Sequence, residues 1–381
     1  MKIQLRVASL TSILLLLSFG LTSTSLAAKK AEKCTQVGSS KQVNGREYLC
    51  SYSGKNLVWK KVQTSKKTIQ AAPKTFQELV GHKSIPATTW NSYYAKVSKA
   101  VALPVEFVVN IGPNTKLLNT KVKDVFSNTT RVFTGYAQPK MVTSIYYAFE
   151  DIQWAEGEVR NLSMPDYKVK EVQFMCNKSA CRGASASNLP GSNSNGFDYD
   201  KSLIIFGVPG KAEPKFTYHL AGGIEAHEYA HTVQAAQFKD SKTNLYVSMP
   251  SWFVEGHAHL IGNIASADSL SDYEIRRKFW QFDSASVINE ETVNGMYKAM
   301  APGENMSIGG GGNYYFQFVY TFGYLTVELL ASLKGIDSPM ELLKLVAAGK
   351  SYDEAFKSIY GMDWTEAAPI LAKAVVAQYS L

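Results

Sequence analysis

The run Ala221-Gly-Gly-Ile-Glu-Ala-His227-Glu228-Tyr-Ala-His231-Thr-Val-Gln234 decides how the rest of the chain is read. It holds the one H-E-x-x-H in 381 residues. Residues three and four apart share a helix face, so His227 and His231 stand one turn apart with Glu228 one step around. Two imidazoles so spaced can bind one zinc ion, and the adjacent carboxylate can reach a water on that ion. The spacing predicts a helix over Thr217–Phe238.

Catalytic zinc needs a third protein ligand and an open position. A third histidine in the pattern H-E-x-x-H-x-x-G-x-x-H would require Gly at 234 and His at 237, where this chain has Gln234 and Gln237, so the metzincin class is excluded. Glu255, in Trp252-Phe-Val-Glu255-Gly256-His-Ala258-His259, is the best remaining candidate. The segment between His231 and Glu255 can form a helix end, a loop and the start of an antiparallel helix that returns the carboxylate to the metal. Ala258 is small enough for a neighbouring helix to approach closely. His259, one turn after Glu255, faces the surroundings of the metal, as an outer-shell hydrogen-bond candidate first, with ordinary surface or packing and, least, a fourth ligand as the alternatives. His82 and His219 read as unrelated to the metal, and Glu225 as solvated.

The N-terminus reads as a secretory signal over 1–28. Lys2 and Arg6 precede the apolar run Ile13–Leu17, and small residues follow at Ser25–Ala28. No later run is long and apolar enough to span a bilayer. An exported, extracytoplasmic chain is expected. The formal charge of +8 belongs to one region: residues 29–74 carry ten lysines and Arg46 against only Glu32 and Glu47. Such a module suits an anionic cell-envelope polymer better than nucleic acid, or serves only to solubilise. Four cysteines in an exported chain suggest two local disulfides, Cys34–Cys50 and Cys176–Cys181.

Residues 29–62 read as a small β unit with turns at Asn44-Gly45 and Ser53-Gly54, and 63–74 as a linker. The main part is α+β. Helices are expected at Phe76–Val80, Trp90–Val101, Leu117–Tyr136 and Asp151–Val159. Strands are expected at Pro104–Asn110, Met141–Phe149, Glu171–Met175 and Ser202–Val208. Gly183–Asp198 reads as a long Ser/Asn/Gly-rich loop, and Ala301–Asn313, with its run Gly309–Gly312, as a flexible rim. From 266 onward the pattern is helical: Asp272–Phe282, Tyr320–Leu333, Pro339–Ala348, Tyr352–Tyr360 and Trp364–Gln378. Strand Ser202–Val208 is the expected edge along which an extended peptide docks.

His227-Glu228-Tyr-Ala-His231 followed by Trp252-x-x-Glu255-Gly256-x-Ala258 resembles the gluzincin metallopeptidases, the aminopeptidase N and thermolysin-like superfamily. Tyr320-Thr-Phe-Gly323-Tyr-Leu325 is similar to the family's Y-x-x-G segment, and the tail through Leu342, Tyr352–Phe356 and Tyr360-Gly361 to that of bacterial peptidase MA-like domains. The resemblance spans roughly 200–370. It implies a zincin-like architecture in two subdomains. Residues 75–245 would form the mixed sheet with the H-E-x-x-H helix, and 246–381 a mainly helical part with the third ligand. It implies one zinc ion on His227, His231 and Glu255, with Glu228 as general base. Tyr320 would donate to the transition state, with Tyr314, Tyr315 and Tyr324 as competitors for that role. The expected substrate is a peptide or protein. The spacing to Glu255 is a few residues longer than in the best-known members. The G-x-M-E-N element that holds a substrate's free amine in aminopeptidases is not found, so exopeptidase specificity does not carry over. Two alternatives stand beside the peptidase: a catalytically inactive zincin acting as an envelope-binding scaffold, and a zinc amidase acting on cell-wall cross-links.

Overall fold

Two strands with long apolar runs form the centre of the molecule, because only a strand covered on both faces accommodates Val, Ile and Tyr at successive positions. These are β5 (Met141–Tyr147), buried from Val142 to Tyr147, and β9 (Phe197–Gly207), buried from Ser202 onward. The computed structural model describes residues 40–44, 46–53, 56–61, 71–177, 180–192, 196–209, 218, 221–279, 287–304, 315 and 318–379. Within them a four-stranded sheet runs in the order β4-β5-β9-β8, with β4 at Glu106–Ile111 and β8 at Ala184–Pro190. β4, β5 and β9 are parallel, and β8 lies antiparallel to β9. The chain is therefore α+β with a mixed sheet.

Helix α1 (Ile85–Val97) precedes β4, and α2 (Val122–Val132) joins β4 to β5. α3 (Ile152–Asn161) and α4 (Asp166–Phe174) follow β5. A short hairpin, β6 (Cys176–Asn177) and β7 (Ala180–Cys181), leads into β8. One sheet face, with Val142, Tyr146, Ile204 and Phe206, belongs to the main core; the other, with Ile145, Tyr147, Leu203 and Ile205, packs against α3 and α4. The helices after the sheet are α5 (Gly223–Ala236), α6 (Leu245–Ser248), α7 (Ser251–Ala265), α8 (Leu270–Phe279) and α9 (Glu290–Ala299). A π-helical turn at Val319–Gly323 runs into α10 (Tyr324–Lys334). α11 (Ser338–Ala347), α12 (Tyr352–Tyr360) and α13 (Trp364–Tyr379) complete the chain.

Several expectations are corrected. Glu171–Met175 is not a strand but the end of α4, whose Lys168, Val169 and Val172 are buried at helical spacing. The segment read as a loop from Gly183 contains β8, where pairing with β9 overrides weak local propensity. Ser202–Val208 lies inside the sheet, so β8 is the edge strand beside it. The motif helix is shorter than expected and begins at Gly223. Gly222 precedes it with φ +84, where a Cβ would come within 2.5 Å of Val125. Near the N-terminus, β1 (Ser40–Val43), β2 (Arg46–Ser53) and β3 (Asn56–Lys61) form an antiparallel sheet. Asn44 has φ 51, as the Asn-Gly turn demands. The signal segment, most of the linker, the 305–314 rim and the Cys34–Cys50 pairing lie outside the described residues. No described helix is long and apolar enough to cross a membrane.

Candidate metal centre

Two helices buried on nearly every side build the site. In α7 every residue from Ser251 to Ile264 is buried, and α5 is almost as enclosed. They run antiparallel: Gly223 of α5 lies against Gly262 of α7, and Gln234 against Val254 and His257. Trp252 anchors the start of α7 in the core, stacked on Trp364 at 5.3 Å. The return of α7 beside α5 brings Glu255 to the two histidines, as the loop-and-return reading expects.

The Nε2 atoms of His227 and His231 lie 3.0 Å apart. Glu255 Oε2 is 3.4 Å from the first and 3.3 Å from the second. A tetrahedral ion with ligands at about 2.0–2.1 Å has ligand–ligand separations of about 3.3–3.4 Å; the two edges to Glu255 match, and the His227–His231 edge at 3.0 Å is slightly short. The three residues are buried, and they form the only group of its kind among the described residues. Two neutral imidazoles and one carboxylate also match the chemistry of a borderline-soft divalent ion. The cluster could hold a metal ion.

Without an ion, the three groups depend on one another for charge. Burial opposes ionisation of His231, but the Glu255 carboxylate outweighs it and holds the imidazolium up to about 9. Burial likewise opposes charge on Glu255, and His231 overrides it, keeping the carboxyl well below its usual range. Glu228 points its Oε1 to 4.0 Å from His227 Nε2. Burial raises its carboxyl above the ordinary value, against the pull of His227 and His231. A carboxylate made more basic beside a candidate metal is suited to accept a proton.

Gln234 contributes more than the exclusion of one metal-ligand pattern. Its Oε1 accepts from His231 Nδ1 at 2.9 Å. Its Nε2 donates to Val254 O at 2.9 Å and to His257 Nδ1 at 3.0 Å. That orientation keeps a proton of His231 on Nδ1, so Nε2 is the nitrogen that could bind a metal ion once its own proton leaves. His257 is thereby held neutral, and burial drives it down to about 3. Nothing in the H-E-x-x-H pattern announces Gln234. The signal available was its place one turn after His231.

His259 meets His227 edge-on, with ring centres 5.6 Å apart, and lies among Tyr218, Tyr320 and Tyr324 at 5.2 to 5.7 Å. Packing is the contact observed. Tyr320 reaches the site: its ring centre is 6.1 Å from that of His227. Burial, then the charges of Glu255 and Glu228, push its phenol well above 10, so it carries its proton at neutral pH. Tyr324 is turned elsewhere, its hydroxyl donating to Tyr273 at 3.2 Å. Tyr315 packs against Phe318, and Tyr314 lies outside the described residues. A phenol that sequence reading missed is Tyr246 on α6. It is 46% exposed, and desolvation of its hydroxyl end together with Glu255 and Glu228 raises its pKa.

A close approach of helices falls at Gly256. A Cβ on Gly256 would lie 2.4 Å from the Gly323 carbonyl carbon, and one on Gly323 would lie 2.5 Å from the Trp252 oxygen. Here α7 touches the π-helical turn backbone to backbone, which sets Tyr320 opposite the start of α7. Such π turns recur where helix geometry serves a site. Cys176 and Cys181 form the expected disulfide beside β8. His82 is distant, bonded to Ser84. Glu225 is not solvated: it is 3% exposed, with Asn119 Nδ2 at 3.5 Å, and burial raises its carboxyl to about 7. Scans of protein-family models, curated proteins and solved structures find no match to this chain.

Proposed function

We propose that the chain is an exported zinc metallopeptidase of the gluzincin kind, built in two zincin-like subdomains. The observation that carries this reading is the convergence of three ligand atoms from His227, His231 and Glu255 with Glu228 beside them. When bound there, zinc would supply a Lewis acid that lowers the pKa of a coordinated water to about 7. Glu228 takes the proton of the attacking water and returns it to the leaving amine, a role that its burial-raised basicity favours. The Tyr320 phenol donates to the developing oxyanion. Gln234 holds His231 in the tautomer that binds the metal.

The retained base favours an enzyme over a structural zinc scaffold, since a closed structural site has no use for Glu228. An extended substrate pairs along the outer edge of β8, the strand that ends the sheet and packs beside α5. The disulfide supports an oxidising, extracytoplasmic setting. The basic sheet β1–β3 serves as an anchor on anionic envelope polymer, a reading that rests on the lysine surplus of 29–74.

The test is a mixed peptide library and a cell-wall digest incubated with zinc-loaded wild type and Glu228→Gln, with products read by mass spectrometry. Cleavage of peptides by wild type alone is expected, with a loss of about 10²–10⁴ in the variant. Release of cross-link fragments without peptide cleavage would assign the site to an amidase. Silence on both substrates would remove the enzymatic reading.

A further inference from the structure

The edge strand β8 has little to hold it by packing. Its first four residues are Ala184, Ser185, Ala186 and Ser187, whose side chains bury too little apolar area to fix a strand against its neighbours. Edge strands held this loosely shift register or fray. Three other features surround it. Ala184 and Ala186 face the main core beneath α5, and the Cys176–Cys181 bridge closes the hairpin that enters the strand. On the remaining face, opposite α5, stands Lys168.

Lys168 of α4 is 2% exposed. Its ammonium donates to Ser185 Oγ and, at 2.6 Å, to Glu171 Oε2. Ser185 Oγ donates to the same carboxylate oxygen at 2.9 Å. The three side chains form a closed bracket between α4 and the edge strand. α4 is in turn fixed to the centre of the sheet, because Tyr147 of β5 donates to the Val172 carbonyl at 2.9 Å. The line from β5 through α4 to Ser185 thus sets how far β8 stands from the sheet centre. Burial works against the charge on this lysine and lowers its pKa, and Glu171 only partly compensates. A buried ion pair of this kind adds little net stability and is better understood as fixing a geometry.

We infer that Lys168 is a positioning residue, which through Glu171 and Ser185 holds β8 at the setting in which its outer edge receives an extended substrate. The inference rests on the peptidase reading and on β8 as the docking strand. It assigns to the Lys168 bracket the binding of substrate residues remote from the reacting bond; the ammonium also lies within electrostatic reach of Glu228, so Ser185→Ala, which leaves that charge in place, isolates the positioning role. Longer peptides, which pair with more of β8, depend on the bracket; short ones, held near the metal, do not.

The experiment compares zinc-loaded wild type, Lys168→Met and Ser185→Ala on an internally quenched decapeptide that wild type cleaves and on its four-residue core. Ser185→Ala removes one strut and leaves the charge in place, so it serves if Lys168→Met does not fold. Lys168→Met should raise KM for the decapeptide about tenfold, the pattern of lost uniform binding, and leave the tetrapeptide KM and zinc content unchanged, with any change in kcat from the lost charge near Glu228 equal on the two peptides. Ser185→Ala should show the same split at about threefold. Hydrogen exchange over Ala184–Pro190 should quicken in both variants while α5 stays protected. An unchanged decapeptide KM in folded variants overturns the inference. So does an equal fall in kcat on both peptides with loss of zinc, which would make the bracket merely structural. If wild type cleaves neither peptide, the peptidase reading fails instead, and unchanged exchange across β8 would then remove the bracket as well.

Discussion

Two clusters of buried charge lie close together around α7 and α10, and they are built in opposite ways. In the first, Arg277 of α8 meets Glu328 of α10 through Nε at 2.9 and 2.7 Å, with both residues almost wholly buried. Tyr273 donates to the same carboxylate at 2.7 Å, and Gln378 accepts from Arg277 at 2.9 Å. Gln378 then donates to the His82 carbonyl at 2.7 Å, tying α13 to the segment before α1. Every charge there has a counter-charge from the chain. In the second cluster, His227, His231 and Glu255 point three potential ligand atoms at one place, and among the described residues no lysine or arginine bonds to them. The first cluster is complete as folded. The second gains a full set of partners only when a cation joins it. Buried carboxylates 328 and 255 thus carry different meanings: the cation facing Glu328 is a permanent guanidinium, whereas the one facing Glu255 is a proton on His231 that a metal ion can replace.

The comparison breaks most visibly if one carboxylate is neutralised in each cluster. Glu328→Gln leaves Arg277 buried without its partner and should cost about 3–5 kcal/mol in urea unfolding, equally with and without zinc. Near pH 9, where His231 is giving up its proton in any case, Glu255→Gln should leave metal-free stability much less changed. Its effect should appear as zinc affinity, falling by more than the ~10–100-fold typical of an outer-shell loss. Equal destabilisation of the metal-free forms would erase the distinction.

The two tyrosines of the Tyr320–Leu325 segment sharpen the contrast, since one belongs to each cluster. Tyr320→Phe should lower kcat about 10²–10³-fold with little change in stability, as for loss of an oxyanion donor. Tyr324→Phe removes the hydroxyl bonded to Tyr273 and should cost about 0.5–1.5 kcal/mol, with kcat nearly intact. A reversed assignment would show the opposite split in paired kinetic and unfolding assays.

Smaller still is the effect of pH. His231 is raised from 6.5 to about 9 in the metal-free site, so its contribution to stability is present below pH 6.5 and fades as pH climbs through about 9. Glu255 is depressed from 4.5, so its contribution is present above pH 4.5 and disappears as pH falls through the lowered value. The pair therefore stabilises the metal-free protein most between about pH 4.5 and 6.5. Zinc must displace the His231 proton, so its affinity should rise about tenfold per pH unit from neutrality and level off near 9. Chelator competition at several pH values measures this slope, and a flat profile would contradict the charge state assigned to His231.

The sequence carried the clustered His227, His231 and Glu255 well, because the chemistry of a metal site would constrain their spacing. His227 and His231 must sit one turn apart, and Trp252 marks the start of the returning helix. β5 and β9 were legible from their apolar runs, and α12 from its helical pattern, to which the structure adds the Ser351 cap. Elements that depend on distant partners were not legible. β8 is Ala, Ser and Asn, and only pairing with β9 makes it a strand. α4 ends in a stretch that alternates like a strand, and its buried lysine concealed the helical face. Glu225 was placed in solvent because a lone glutamate usually belongs there; the loop bearing Asn119 covers it. Gln234 drew notice only as a residue out of place in another family's pattern. Its two hydrogen-bonding ends become meaningful once His257 is seen opposite.

X-ray absorption on the zinc-loaded protein tests the central claim most directly, because it reads the ion's own surroundings. One zinc per chain is expected, with two imidazole nitrogens and light oxygen scatterers at about 2.0–2.1 Å, and loss of that signature in Glu255→Gln. A protein that takes up no zinc, or binds it through sulfur or without imidazole, would contradict the account.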